Sequence, residues 1–339
     1  MTAELRSVAR ALVAPGKGIL AADESGGTIK KRFDSINVES TEDTRRAYRE
    51  MLFTTPGAHE FISGVILYDE TIRQKASDGR PFVDVLSSQG VIPGIKVDAG
   101  AQPLAFSPDE KVTEGLDGLR GRYEEYRGLG AKFAKWRAVI DISGSEIPTP
   151  YCIDVNAHAL ARYAALAQEC GIVPIVEPEV LMDGDHTIER CDRVTRDTLQ
   201  RVFEALYAQR VDFEGMLLKP NMVVPGKKCA TQVDSATVAE RTIAVLRATV
   251  PAAVPGIVFL SGGMSDEDAT DRLNEMNKRG PNTWDLSFSY GRALQAPALK
   301  AWKGEPSNLE AGQGAFYHRA KMNGLARSGS YSAKDETAA

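Results

Sequence analysis

Residues 171–179 read Gly-Ile-Val-Pro-Ile-Val-Glu-Pro-Glu. An aliphatic stretch of this length that ends abruptly in two carboxylates fits a strand buried on both faces with a polar terminus. Comparable runs recur along the chain, at Gly18–Ala22, Gly64–Tyr68, Ile92–Val97, Phe133–Trp136, Val173–Glu177, Gly215–Lys219, Gly256–Ser261 and Trp284–Tyr290. Their starts are separated by roughly 28 to 46 residues, room for a helix and two loops each time. Between them, Val155–Cys170, Arg193–Ala208, Ser235–Ala248 and Asp266–Lys278 carry apolar residues at helical spacing. Ser40-Thr-Glu-Asp43 reads as a capping box opening a helix through Met51 and Leu52. Strands alternating with helices, with no low-complexity linker, predict an α/β chain folded as a closed TIM-type (β/α)8 barrel. A doubly wound open sheet is the alternative. It would carry a Gly-rich turn after its first strand, whereas Gly16-Lys-Gly-Ile-Leu-Ala21 precedes one.

Composition narrows the function classes. The 339 residues carry 41 Lys plus Arg against 46 Asp plus Glu, a net charge of −5. That balance argues against a nucleic-acid surface or a polybasic membrane patch. A chain this long buries a large core without disulfides or metal clips, so residues 1–339 are expected to form one barrel domain. An N-terminal helical extension and a short mobile tail from about residue 327 (RSGSYSAKDETAA) complete that expectation. The segment MTAELRSVARALV is interrupted by Glu4, Arg6 and Arg10 and does not read as a signal peptide. The charge-free stretch Ala248–Ser265 contains Pro251 and Pro255 and does not read as a membrane span, so a cytoplasmic location is expected. Cys152, Cys170, Cys191 and Cys229 form no Cys-x-x-Cys pair and read as reduced structural thiols. His59, His158, His186 and His318 stand far apart, so neither a metal nor another cofactor is expected.

What terminates the apolar runs is the informative feature. They end in Asp23, Lys96, Lys135 with Arg137, Glu177 with Glu179, Lys219, Ser261, and Ser289 with Arg292. In a barrel these carboxyl ends converge on one mouth, where barrel active sites lie. One polar terminus is most simply a solvated strand end; seven of eight together point to a site. Lys219 closes the apolar run Gly-Met-Leu-Leu-Lys and is followed by Pro220. Desolvation and neighbouring cations disfavour an ammonium ion, and a lysine so placed can attack a carbonyl to form a Schiff base. Such chemistry needs proton shuttles, which Glu177 and Asp23 supply from different strands. Ser261-Gly262-Gly263 and Ser289-Tyr290-Gly291-Arg292 follow the last two runs, where barrels often bind phosphate. Lys96, Arg137, Ser25, Thr28, Lys31 and Arg32 are candidates for a second anion. Two anion sites flanking one lysine imply a substrate phosphorylated at both ends.

Eight ordered blocks then resemble one family over nearly the whole chain. They are GKGILAADES (16–25), GRPF (79–82), GIKVD (94–98), FAKWR (133–137), GIVPIVEPE (171–179), LLKPNM (217–222), FLSGG (259–263) and FSYGRAL (288–294). The chain resembles the class I, Schiff-base fructose-1,6-bisphosphate aldolases. The resemblance implies that Lys219 is the Schiff-base lysine, Glu177 the acid/base glutamate with Glu179 beside it, and Asp23 the aspartate at the C4 hydroxyl. It places Lys135 beside the imine, and Lys96, Arg137, Ser25 and Thr28 toward the 6-phosphate. Ser261, Gly262, Gly263, Ser289, Gly291 and Arg292 match the 1-phosphate site, with Arg32 helping to close it. It further implies a metal-independent lyase of glycolysis and gluconeogenesis and a homotetramer. Animal members end in a tyrosine on a flexible tail, whereas this chain ends Thr337-Ala-Ala339 and its last tyrosine is Tyr331. Another Schiff-base barrel aldolase or a transaldolase is the alternative enzyme reading, and a barrel that binds without catalysis the alternative from another class.

Overall fold

The computed structural model describes residues 2–337. Ten strands follow in chain order: β1 (Gly18–Ala22), β2 (Ile62–Leu67), β3 (Ile92–Lys96), β4 (Gly100–Leu104), β5 (Ser107–Glu114), β6 (Phe133–Ile140), β7 (Val173–Val180), β8 (Leu217–Leu218), β9 (Gly256–Phe259) and β10 (Asp285–Tyr290). Eight of them close a parallel barrel in the order β1-β10-β9-β8-β7-β6-β3-β2, and β4 pairs with β5 in an antiparallel hairpin outside it. The expected (β/α)8 architecture is therefore the observed one.

Strand parity separates two cores. Leu20, Val65, Ile95, Ala134, Trp136, Val176, Leu218, Ile257 and Phe259 face outward and pack under the ring of helices. Ile19, Ala21, Ile66, Phe133, Val173, Ile175, Leu217 and Val258 face inward and fill the barrel. The helix Thr2–Leu12 closes the floor, because Leu5, Ala9 and Leu12 share one helical face and join that inner cluster. Burying each leucine contributes about 1.5 to 3 kcal/mol. Glycines make room for the larger inward residues: a Cβ on Gly256 would lie 2.5 Å from Val13, and one on Gly94 would collide with the Phe133 ring.

Several local expectations are corrected. The sixth run, read as Gly215–Lys219, forms a regular strand only at Leu217–Leu218, preceded by a 3-10 turn at Phe213–Gly215. Its pairing still extends to the lysine, whose N–H donates to the Val176 carbonyl at 2.8 Å. The β4–β5 hairpin lacks a continuous apolar run, since most of its residues are exposed or half-buried, and periodicity did not reveal it. The cap of helix Glu42–Phe53 is Thr41 and not Ser40: Thr41 Oγ1 accepts from Thr44 N–H at 3.2 Å, and Thr44 Oγ1 accepts from Thr41 N–H at 2.9 Å. The segment expected as a mobile tail is docked up to Thr337. Tyr331 is buried with its N–H and C=O bonded to Asn274, and Glu336 bonds Arg319, His318 and the Tyr331 hydroxyl. Ala338 and Ala339 of that tail lie outside the described residues.

Candidate active site

Each barrel strand changes character along its inward face. On β7 that face reads Val173, Ile175, Glu177, Glu179; on β6 it reads Phe133, Lys135, Arg137. The same alternation carries Ile19 and Ala21 of β1 to Asp23, and Leu217 of β8 to Lys219. The four innermost ionisable groups consequently meet. Lys219 Nζ lies 3.1 Å from Glu177 Oε1, Glu177 Oε2 lies 3.5 Å from Lys135 Nζ, and Lys135 Nζ lies 2.6 Å from Asp23 Oδ2.

The side chains of Lys135, Lys219 and Glu177 are only 4 to 5% exposed. An isolated charge at such depth is costly, and alternation of sign along the row is what offsets it. Burial alone pushes the Asp23 carboxyl up, but Lys135, Lys219 and Lys96 together outweigh it and hold the group below the usual carboxylate range. Burial likewise opposes the charge on Lys135, and Asp23, Glu177 and Asp98 overcome it, raising its pKa. Oε2 of Glu177 accepts no hydrogen bond, which leaves a buried lone pair facing the cavity.

Two cationic lobes flank this row on opposite walls of the barrel. β3 and β6 bring Lys96, bound to Asp98 Oδ1 at 2.7 Å, and Arg137, paired with Glu179. Burial disfavours the Arg137 charge, and Glu179 more than compensates. β9 and β10, diametrically across the ring, bring the Ser261–Gly263 and Ser289–Arg292 loops. Gly262 and Gly263 have φ of +57° and +86°, a conformation open to glycine at little cost. Ser289 Oγ is buried without a partner, and Gly291 opens the helix Arg292–Trp302 with its first-turn N–H groups toward the mouth. Arg292 has no carboxylate partner among the described residues, and its Nη2 stands 2.8 Å from where a Cβ on Gly263 would lie.

A cavity of about 230 Å³ joins these groups. Asp23, Ser25, Thr28, Arg32, Lys96, Lys135, Arg137, Glu177, Glu179, Lys219, Ser261, Gly262, Ser289, Gly291 and Arg292 all line it. Two predicted residues lie outside the lining: Gly263, next to the Arg292 guanidinium, and Lys31, which is exposed. A larger cavity of about 730 Å³ lies between Leu5, Arg120, Gln168 and Asp212, and it offers no lysine and no serine. Chemistry, not size, therefore selects the smaller one.

Sequence reading missed the support beneath the site. Glu24, next to Asp23, is buried; it pairs with Arg32, accepts from Arg49 Nη2 at 2.5 Å and from Gln295 Nε2 at 2.9 Å. Gln295 also donates to the Ala21 carbonyl at 2.7 Å, tying the end of β1 to the helix that begins at Arg292. Arg49 lies far from every strand end in sequence, Gln295 lies one turn into the helix after β10, and no local signal marks either of them. Among the described residues, no three His, Cys, Asp or Glu side chains are grouped to hold a metal ion, and all four cysteines are free. No described helix is long and apolar enough to cross a membrane.

Comparison with known proteins places this geometry. The family model for class-I fructose-bisphosphate aldolase matches residues 4–339. The chain belongs to that family. A Xanthomonas campestris protein named "Probable fructose-bisphosphate aldolase class 1" is 59% identical, covering 97% of this chain and 98% of its own length. An Arabidopsis thaliana relative, named as cytosolic fructose-bisphosphate aldolase 4, is 54% identical over 97% of this chain and 84% of its own. The Plasmodium falciparum aldolase, solved with TRAP and a small-molecule inhibitor, superposes with a TM-score of 0.96 at 49% identity, covering 97% of this chain and 95% of that one. Membership makes the chain a lyase. Tyr331 is buried beside Asn274 and does not line the cavity.

Proposed function

We propose that the chain cleaves fructose 1,6-bisphosphate reversibly to dihydroxyacetone phosphate and glyceraldehyde 3-phosphate through a Schiff base on Lys219. The observation that carries this reading is the unbroken row Lys219–Glu177–Lys135–Asp23 lying between two cationic lobes. Glu177 is close enough to take a proton from Nζ as the amine adds to the C2 carbonyl. It returns a proton to the carbinolamine oxygen, water departs, and a protonated imine remains. The C3–C4 electron pair then flows into the imine while Asp23 takes the C4 hydroxyl proton, so the aldehyde leaves and an enamine stays on Lys219. Protonation at C3 and hydrolysis release the ketone product and restore the amine.

Lys135, held charged between the two carboxylates, favours negative charge in the space where protons move. Lys96 and Arg137, with Ser25 and Thr28, take the 6-phosphate, and Glu179 orients Arg137 through their ion pair. Ser261, Gly262, Gly263, Ser289, Gly291, Arg292 and Arg32 take the 1-phosphate. Opposed lobes with the lysine row between them suit a substrate charged at both ends. Borohydride reduction of the enzyme with substrate, followed by peptide mass analysis, tests the reading. A stable adduct on Lys219 is expected; no adduct there, or activity abolished by EDTA, would overturn it. The same reading carries a homotetramer in the cytosol, supported by the family and by a relative named cytosolic. Light scattering of the purified chain checks the assembly.

A further inference from the structure

One cation at the mouth is unaccounted for. Lys227 lies in the loop after β8, eight residues beyond Lys219 and well past the apolar run that identified the latter. Its backbone is not free to wander. Gly226, Lys227 and Lys228 donate their N–H groups to the carbonyls of His186, Met182 and Gly184 at 2.8, 2.9 and 2.8 Å, so the loops after β7 and β8 run against each other as a short ladder. Gly226 is required there, because a Cβ would strike the Gly184 carbonyl. The ladder in turn rests on the loop after β9, since Met182 Sδ would lie 3.1 Å from a Cβ on Gly262. Three loops are thus locked in register, and the lysine head is delivered to a defined place.

That place is the Ser261–Gly263 turn. A Cβ built on Gly263 would stand 2.8 Å from Lys227 Nζ and 2.8 Å from Arg292 Nη2, so both cations flank one point above the glycine. Their only carboxylate is Asp183, 2.9 Å from Lys227 Nζ and itself 64% exposed; Arg292 has none among the described residues. Two like charges drawn together with one solvated counter-charge leave a local excess that an anion relieves. Resting on the reading of these loops as the 1-phosphate site, we infer that Lys227 is a further substrate-binding residue: its ammonium caps that phosphate opposite Arg292, with Asp183 holding it in place when the site is empty.

Lys227 is 37% exposed and packs no core, so its replacement leaves the fold intact. Lys227→Met is expected to raise KM for fructose 1,6-bisphosphate and the inhibition constant of inorganic phosphate by about three- to tenfold, with kcat within about twofold. Lys227→Arg restores both constants. Asp183→Asn acts in the opposite sense and lowers both about twofold, and the Lys227→Met gap narrows as salt rises. Unchanged constants in Lys227→Met, or a fall in kcat with unchanged KM, overturn the assignment. Arg292→Ala is measured alongside. If it too leaves phosphate inhibition unchanged, the phosphate reading of these loops fails and the inference with it. If Arg292→Ala weakens phosphate and Lys227→Met does not, the inference alone falls.

Discussion

The floor and the mouth of the barrel are built from the same strands and obey opposite rules. At the floor, Ile19, Phe133, Val173 and Leu217 pack with Leu5 and Leu12 of the first helix, and no charge enters. One or two inward positions further along, the same strands present Asp23, Lys135, Glu177 and Lys219. The floor gains free energy by excluding water from apolar surface. The mouth spends part of it on burying four charges, which persist only because each has an opposite neighbour. The lesson is a division of labour along each strand: stability is generated at one end, and a reactive but costly arrangement is supported at the other.

The sharpest break of that division is Lys219→Met. It should abolish cleavage, lowering kcat by on the order of 10⁴-fold or more, while circular dichroism and the urea midpoint show a folded protein. Glu177→Gln keeps the shape of the row and removes its proton carrier; kcat should fall by about 10²- to 10⁴-fold, read by steady-state kinetics. Phe133→Ala at the floor should do the converse. It costs about 3 to 5 kcal/mol in urea unfolding, while kcat/KM of the folded fraction stays within a few-fold, and a larger kinetic loss would erase the distinction between the two ends.

pH probes the mouth without a change of fold. Asp23 is depressed below its ordinary 3.8, so the stability it contributes is present above that value and is lost as pH falls through the folded one. Lys135 is raised above its ordinary 10.5, so its contribution is present below that value and is lost as pH rises through the folded one. The pair therefore stabilises across a plateau from roughly pH 4 to 10. Asp23→Asn should lower that plateau and flatten its acid limb in urea unfolding, and an unaltered acid limb would remove the pair from the stability of the mouth. The smallest effect is expected from Ile66→Val, about 1 kcal/mol in urea with kcat unchanged, since one methylene is lost from the inner cluster.

Much of the fold was legible because parallel strands buried on both faces are aliphatic without interruption, and Val173–Glu177 shows this as plainly as any segment. The β4–β5 hairpin was not, since its mixed exposure leaves no period to read. The contacts of residues 328–337 were not legible for a related reason. Small polar residues look mobile until Glu336 meets the buried guanidinium of Arg319, a partner 17 residues away whose orientation belongs to the packed helix. Within the site, every predicted residue except Gly263 and Lys31 lines the cavity, because a strand end and the loop after it are carried to the mouth by the barrel. Glu24, Arg49, Gln295 and Lys227 escaped because each is placed by contacts that no local pattern encodes.

The sequence by itself determined the alternation of strand and helix, the ionisable strand ends and the glycine loops that follow β9 and β10. Local sterics and the burial of aliphatic runs are short-range or averaged properties, and they survive in one dimension. Only the closed barrel decided that β3 and β6 stand across from β9 and β10, and so that two cationic lobes oppose each other about Lys219. Only packing decided the order of charges in the buried row, the pairing of Glu24 with both Arg32 and Arg49, and the meeting of Lys227 with Arg292. Electrostatic interactions depend on distance and burial, and neither exists until the chain has folded.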